Sequence, residues 1–340
     1  MKLSEMIKKK RLSILFLVFL LPLFYLLTLI HYAGNPMSES HTTYTIDIPK
    51  GASFKRIVEI LQESGLLKSK LLFYSLAISQ KAASHIRAGE YEFMSDLSPF
   101  EILRKLVRGE IKGYLVTLPE DITLKEVAAR LASYKLVDEK IFLDLASNRD
   151  LLDSLGIASA SLEGFLYPDT YLLDRSMETR EIIRIMVSQF WKKVTPEMLA
   201  RAVEIGFTTE EFVTLASIIG KESGSKDEKP VISAVFHNRL RKNMKLQSDP
   251  TAVYDVRNFT GIITKKDLQN HNPHNTYRIN GLPPGPIANP GIDSLRAALY
   301  PAPVDYLYFV SNNDGTHSFS SDLGAHNEAV ARYRSRKERN

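Results

Sequence analysis

Apolar residues run without a charge over 12–30, and after that the chain breaks into short periodic stretches. At ~1.5 Å per residue this 19-residue run spans roughly 28 Å as a helix, close to the hydrocarbon thickness of a bilayer. Pro22 inside it is tolerated in a membrane helix, and Tyr25 and Tyr32 lie toward the end, where aromatic rings suit the interface. Residues 35–43 are polar and read as a tether. An alternating strand then starts at Tyr44, a turn follows at Pro49, and Ser53 caps an amphipathic helix. The same order returns 70 residues later at Tyr114, Pro119 and Thr123, and the register continues through Leu66/Leu136 and Lys70/Lys140. A further strand at Gly89 and helix after Ser98 lie between the copies.

From residue 208 the pattern is helical. Thr208 is the expected N-cap, with Glu211 completing a capping box, and Leu215, Ile219 and Glu222 fall on one face. Pro230 opens a second helix. Four Pro and three Gly within 281–291 exclude helix and central strand there. Residues 306–310 read as a strand, and a terminal helix follows His326. The fold class is therefore α+β: an N-terminal transmembrane helix, small duplicated strand–helix modules, then a mixed α/β catalytic domain. The expected boundaries are a cytoplasmic tail 1–11, a transmembrane helix 12–32, a tether 33–43, a first module 44–112, a second module with connecting helices 113–204, and a catalytic domain 205–340.

Charge sharpens this organisation. The formal net charge is +5, but residues 1–11 carry +4 and the last nine carry another +4, leaving the body near −3. Such a body argues against a nucleic-acid surface. Five Lys/Arg precede the apolar run and none follows until Lys50, which orients the N-terminus to the cytoplasm and the rest outside. A cleaved signal peptide is the competing reading; the run is long for one, and no clear Ala-x-Ala site follows. With no cysteine, disulfides, thiolate metal sites and a Cys nucleophile are excluded.

Glu222 carries the candidate chemistry. A carboxylate on an apolar helix face loses hydration and its pKa rises, which makes a general acid at neutral pH. The alternative is a structural glutamate paired with a nearby Arg or Lys. The stretch around Glu163, Tyr167, Asp169 and Tyr171 is broken by Gly164 and Pro168, and its aromatic rings form either a sugar-binding wall or core packing. Asp249 is the best candidate for a second acid; its alternative is a turn or cap before Pro250. Asn238, Gln247, Asn275 and Tyr277 suit hydroxyl-rich ligands, or tie loops together. His271 and His274 lie in a loop with no helix-borne His-Glu-x-x-His, so no metal or cofactor is expected. No Gly-x-Ser-x-Gly elbow marks a serine hydrolase.

Six motifs in order carry a family resemblance: Glu163-Gly with Tyr167-Pro-Asp-Thr170, Lys221-Glu222, Val235-Phe-His-Asn-Arg-Leu240, Leu246-Gln-Ser-Asp-Pro-Thr251, Asn275-Thr-Tyr277 and Gly281-Leu-Pro-Pro-Gly285. Together they resemble the YceG-like endolytic murein transglycosylases, and the first duplicated module resembles the LysM-like modules that hold peptidoglycan glycans. The family resemblance implies a single-pass enzyme of the bacterial inner membrane with its catalytic domain in the periplasm. Such an enzyme cuts nascent glycan strands between N-acetylmuramic acid and N-acetylglucosamine, leaves a 1,6-anhydro end, and works beside penicillin-binding glycan synthases. The family's catalytic glutamate maps onto Glu222, and Ser223-Gly224 follows where members often have Thr and a small residue. Glu163, Tyr167, Asp169, Asn238, Arg239, Gln247, Asp249, Asn275 and Tyr277 are then the expected substrate-binding set. Two rival readings remain: a two-carboxylate muramidase hydrolase using Asp249, and a non-catalytic, membrane-tethered glycan-binding or divisome scaffold.

Overall fold

A computed structural model describes residues 2–36, 38, 41–83, 85–256, 261 and 263–337, without the side chains of 2–17 and 334–337. Contacts divide the chain into two units, Met1–Tyr114 with Asp174–Ser176, and Leu115–Leu173 with Met177–Asn340. Among the described residues, helices and three two-stranded sheets make it a mixed α+β protein.

In the first unit, α1 (Lys2–Gly34) contains the apolar run. Among the described residues no helix is long and apolar enough to cross a membrane, and residues 12–17 of the run have side chains outside the description. The alternation after the tether becomes β1 (Thr43–Ile48), which buries Ile46 and Ile48 and exposes Thr45 and Asp47. Ser53 caps α2 (Phe54–Glu63) by accepting from the Arg56 amide, and Ser69 caps α3 (Lys70–Ser79) through the Leu72 amide. Strand β2 (Gly89–Met94) returns antiparallel to β1, pairing Ile46 with Tyr91 and Ile48 with Gly89. Helix α4 (Pro99–Arg108) starts with a capping box between Ser98 and Glu101. Ile48, Val58, Leu61, Phe73, Phe93 and Ile102 form the core under this strand–helix–helix–strand frame, and Leu29, Tyr32 and Ala33 of α1 pack against it.

The second unit begins with the repeat. Strand β3 (Tyr114–Thr117), α5 (Leu124–Ser133), α6 (Glu139–Ala146) and β4 (Thr170–Leu173) reproduce the strand–helix–helix–strand order, and β3 pairs with β4. The duplication thus extends to the closing strand, which the sequence comparison did not reach. In this copy α7 (Arg149–Ser154) and the Glu163–Asp169 loop are inserted before that strand. Next come α8 (Thr179–Lys193), α9 (Pro196–Glu204), α10 (Thr209–Glu222), α11 (Lys229–Arg241) and the short α12 (Asp249–Val253). After the Pro/Gly-rich loop, α13 (Ile292–Leu299) packs on α10 and α11, and β5 (Tyr308–Ser311), β6 (His317–Ser320) and α14 (Leu323–Lys337) end the chain. Strand β5 starts two residues later than the apolar pattern suggested.

Candidate active site

Helix α10 begins as its sequence dictates. The Thr208 hydroxyl accepts from the Glu211 amide (3.2 Å), and the Glu211 carboxylate accepts from the Thr208 amide (2.8 Å). From Phe212 to Gly220 every residue is buried, so the helix is enclosed on all sides rather than along one apolar stripe. Gly220 permits that enclosure: a Cβ there would lie 1.8 Å from Asp121 Oδ1. Glu222 is the last residue of α10. Helix α10 therefore works as a rigid rod through the core that delivers one carboxyl at its end.

That end meets the Leu246–Thr251 segment. Ser248 Oγ donates to Glu222 Oε1 (2.5 Å). Ser248 is itself pinned, because its amide donates to Thr276 Oγ1 (2.9 Å), and Thr251 Oγ1 donates to the Ser248 carbonyl (2.6 Å) and hydrogen-bonds Thr276 Oγ1 (2.8 Å). Ser248, Thr251 and Thr276 are all buried. Gln247, next in line, is exposed and sits at φ 51, a left-handed backbone that a residue with a Cβ rarely adopts. Its amide bonds to the Thr276 carbonyl (3.2 Å), which holds the strained residue in place and turns its side chain to the surface. Asp249 is exposed and accepts from Tyr277 Oη (2.5 Å), with no cap bond to its own helix.

The electrostatics follow from this packing. Burial pushes the Glu222 carboxyl up to about 7, the Asp249 charge adds to the rise, and the Ser248 hydrogen bond and the Arg239 guanidinium oppose it. Arg239 is 6% exposed and donates to the backbone carbonyls of Leu307 (2.7 Å) and Leu246 (2.7 Å), while its guanidinium lies over the Tyr308 ring. The arrangement yields a carboxylic acid that holds its proton near neutral pH and is held in one orientation by a hydroxyl.

A second knot supports the first. Asn289, fully buried, accepts from the Gly164 amide (3.0 Å) and the Leu166 amide (2.9 Å), and donates to the Ile122 carbonyl (2.9 Å) and Glu163 Oε1 (3.1 Å). Glu163 is 2% exposed and also accepts from the Leu124 amide (2.9 Å), at the start of α5, and from Tyr254 Oη (2.9 Å). Burial pushes its carboxyl up to about 7, against the pull of those donors. Gly164, at φ +90, is obligatory, since a Cβ would lie 2.7 Å from Pro286 and 2.8 Å from Val213.

The predicted residues therefore separate. Glu222, Gln247, Asp249 and Tyr277 gather at one place, with Arg239 beneath them. Glu163 is enclosed in the Asn289 knot. Tyr167 is 5% exposed under Lys193, and Asp169 accepts from Gln189 (2.7 Å) beside β4. Asn238 is 5% exposed and spends its amide on the carbonyls of Val304 (3.0 Å) and Tyr306 (2.8 Å). Asn275, fully buried, donates to the carbonyls of Leu268 (3.1 Å) and Asn270 (2.9 Å). Sequence reasoning passed over Ser248, Thr251, Thr276 and Asn289. The first three lie inside quoted motifs, but a hydroxyl's partner is invisible until the loops meet.

The sequence pattern of the YceG-like family matches residues 46–332. The endolytic murein transglycosylase of Bacillus subtilis is 34% identical over 322 residues, covering 88% of this chain and 87% of that protein. Its namesake in Streptococcus pneumoniae D39 is 27% identical over 321 residues, covering 85% of this chain and 58% of that longer protein. The crystal structure of a yceG-like protein from Listeria monocytogenes superposes with a TM-score of 0.59 at 31% identity, covering 85% of this chain and all of that one. With the match spanning the repeat, the α10 rod and the loops that hold Glu222, the chain belongs to the YceG-like family.

Proposed function

We propose that this protein is a lytic transglycosylase of peptidoglycan, a lyase that cuts glycan strands internally between N-acetylmuramic acid and N-acetylglucosamine. Family membership and relatives named endolytic murein transglycosylases support the activity. The observation that carries the mechanism is the Glu222 carboxyl, proton-bearing near pH 7 and oriented by Ser248. Protonated Glu222 gives its proton to the glycosidic oxygen as the C1–O bond breaks. The C6 hydroxyl of the same muramic acid closes on C1, and its proton returns to the Glu222 carboxylate. The products are a 1,6-anhydro end and a new free hydroxyl, with no water consumed, so one carboxyl serves as acid and then as base.

Gln247 and Asp249, exposed, and Tyr277, half-buried with its hydroxyl on Asp249, are the sugar-facing partners beside Glu222 in this reading. Arg239 acts from below by holding the Leu246 carbonyl. Glu163, Asp169, Asn238 and Asn275 hold the frame, since their polar side-chain atoms are engaged within the protein, and Tyr167 joins them as a buried ring beneath Lys193. The strand–helix–helix–strand module of the first unit is assigned a LysM-like, glycan-holding role. The uncharged run at 12–30, its basic leader and the continuous helix α1 support a single-pass anchor in the bacterial inner membrane, cytoplasmic N-terminus first, with the chain after about residue 33 in the periplasm. There the enzyme would meet nascent strands beside penicillin-binding synthases and end their elongation.

Mass spectrometry of products from intact sacculi incubated with the full chain tests the reaction. Anhydro-ended muropeptides are expected. Reducing ends one water heavier would instead assign Asp249 a water-activating role, and no release would leave a scaffold. The pH profile tests the site itself. Because the acid form of Glu222 starts the reaction, kcat should fall as pH rises through about 7. Ser248→Ala removes a bond that favours the ionised form, so that limb should move to higher pH. Asp249→Asn removes a like charge, so it should move to lower pH. Shifts in the same direction would contradict the assignment.

A further inference from the structure

We propose that α3, with the start of α4, forms a lipid-facing surface that seats the first unit on the membrane beside its anchor. The inference rests on the anchor reading of residues 12–30. Two contacts fasten α3 to α1: the Tyr25 and Ser75 hydroxyls hydrogen-bond (2.5 Å), and Tyr32 Oη donates to the Ser69 carbonyl (3.1 Å). The pairings run in opposite directions along the two helices, so α3 descends alongside α1 toward lower residue numbers. Leu29, Tyr32 and Ala33 also pack into the core of this unit, so no free tether separates the module from the helix at this point.

Depth follows from the register. Tyr25 precedes the end of the apolar run at Ile30 by five residues, or ~8 Å along a helix. Ser75 is held at that level, and Ile78 lies nearly one further turn down. If 12–30 spans the bilayer, Ile78 lies ~12 Å inside the outer end of the run, so the second half of α3 reaches the acyl chains while its start stays near the headgroups. Its composition suits that place. No charged residue occurs from Leu71 to Ser79, and Leu71 and Ile78, seven residues apart on one helical face, are 67% and 71% exposed. Phe100 of α4, 38% exposed, joins Leu26 and Ile30 in lining an open groove of about 580 Å³. Exposed Lys68 and Lys70 stand at the shallow start of α3, toward the anionic headgroups, and Arg104 stands at the groove beside Glu101. Apolar side chains open at the membrane level and cations around them describe a surface for lipid.

The chain has one tryptophan, Trp191, so a Trp191→Phe background allows single-tryptophan reporters. The full chain carrying Phe24→Trp, Leu71→Trp or Ile78→Trp is reconstituted into phosphatidylcholine–phosphatidylglycerol vesicles with brominated acyl chains, which quench nearby indole emission. Loss of emission is expected at positions 24 and 78, with weaker loss at 71, because α3 descends toward 78. Quenching at 24 without quenching at 78 overturns the lipid-facing surface and leaves the anchor standing. No quenching at 24 overturns the anchor reading and this inference with it. Equal or stronger quenching at 71 than at 78 overturns the register on which the depth rests.

Discussion

Replacing Glu222 with Gln is expected to abolish strand cleavage, lowering kcat by about 10²–10⁴-fold while the fold and glycan binding persist. Gln has nearly the same shape and its carbonyl oxygen can still accept the Ser248 hydroxyl. It has no proton to give the leaving oxygen and cannot take one back, so both halves of the reaction fail together. The same variant has a stability signature. The folded carboxyl titrates near 7 against 4.5 in an ordinary environment, so between those values the folded protein keeps a proton that the unfolded chain has released. That contribution favours the folded state below about 4.5 and is lost as pH rises through about 7. Glu222→Gln should therefore flatten the decline in stability across this window and melt no lower than the native protein at pH 8. Anhydro-muropeptides at native yield from the variant would remove Glu222 from the mechanism. A melting temperature that falls at every pH would mark it as structural instead.

Asn289→Ala is expected to produce the largest loss of stability, about 3–4 kcal/mol. One side chain satisfies two buried amides, one buried carbonyl and one oxygen of Glu163, and it has no access to water. Alanine leaves the Gly164 and Leu166 amides unpaired in the interior, where water cannot replace the side chain, and leaves the Ile122 carbonyl and the buried Glu163 with one donor fewer. Thermal unfolding should show a Tm drop of roughly 6–15 °C for a unit of this size. Asn289→Asp, which keeps an acceptor for Gly164 and Leu166 but sets a second carboxylate beside Glu163, should also lose stability, and more at pH 8 than at pH 5. A change under about 1 kcal/mol for alanine would mean the loops are held by other contacts.

The two sites were not equally legible. The capping box at Thr208 and the caps at Ser53 and Thr123 could be placed because such signals are local: a side-chain hydroxyl satisfies an amide three residues on, within one turn. The strand alternation of Thr43–Ile48 and the duplicated strand–helix unit were readable for the same reason. Glu222 was readable because it shares helical spacing with Leu215 and Ile219, although the helix proved enclosed all round. Glu163, Asn238 and Asn275 shared the amides and carboxyls expected of sugar ligands, yet the structure turns those groups inward onto backbone carbonyls and amides. Residue type names the bonds a side chain can make and leaves open whether protein or ligand supplies the partner.

By itself, then, the sequence determined the elements, the repeat, the family and the one acid at the end of α10, because each is written in neighbouring residues or in a motif. Only the tertiary structure decided which polar side chains turn inward onto the protein and which stay open beside Glu222. Ser248 meets Glu222 across 26 residues and Asn289 meets Glu163 across 126, and such pairings exist only once the loops are closed. The raised pKa of Glu222 is likewise a product of packing, since desolvation belongs to the neighbours a carboxyl acquires on folding.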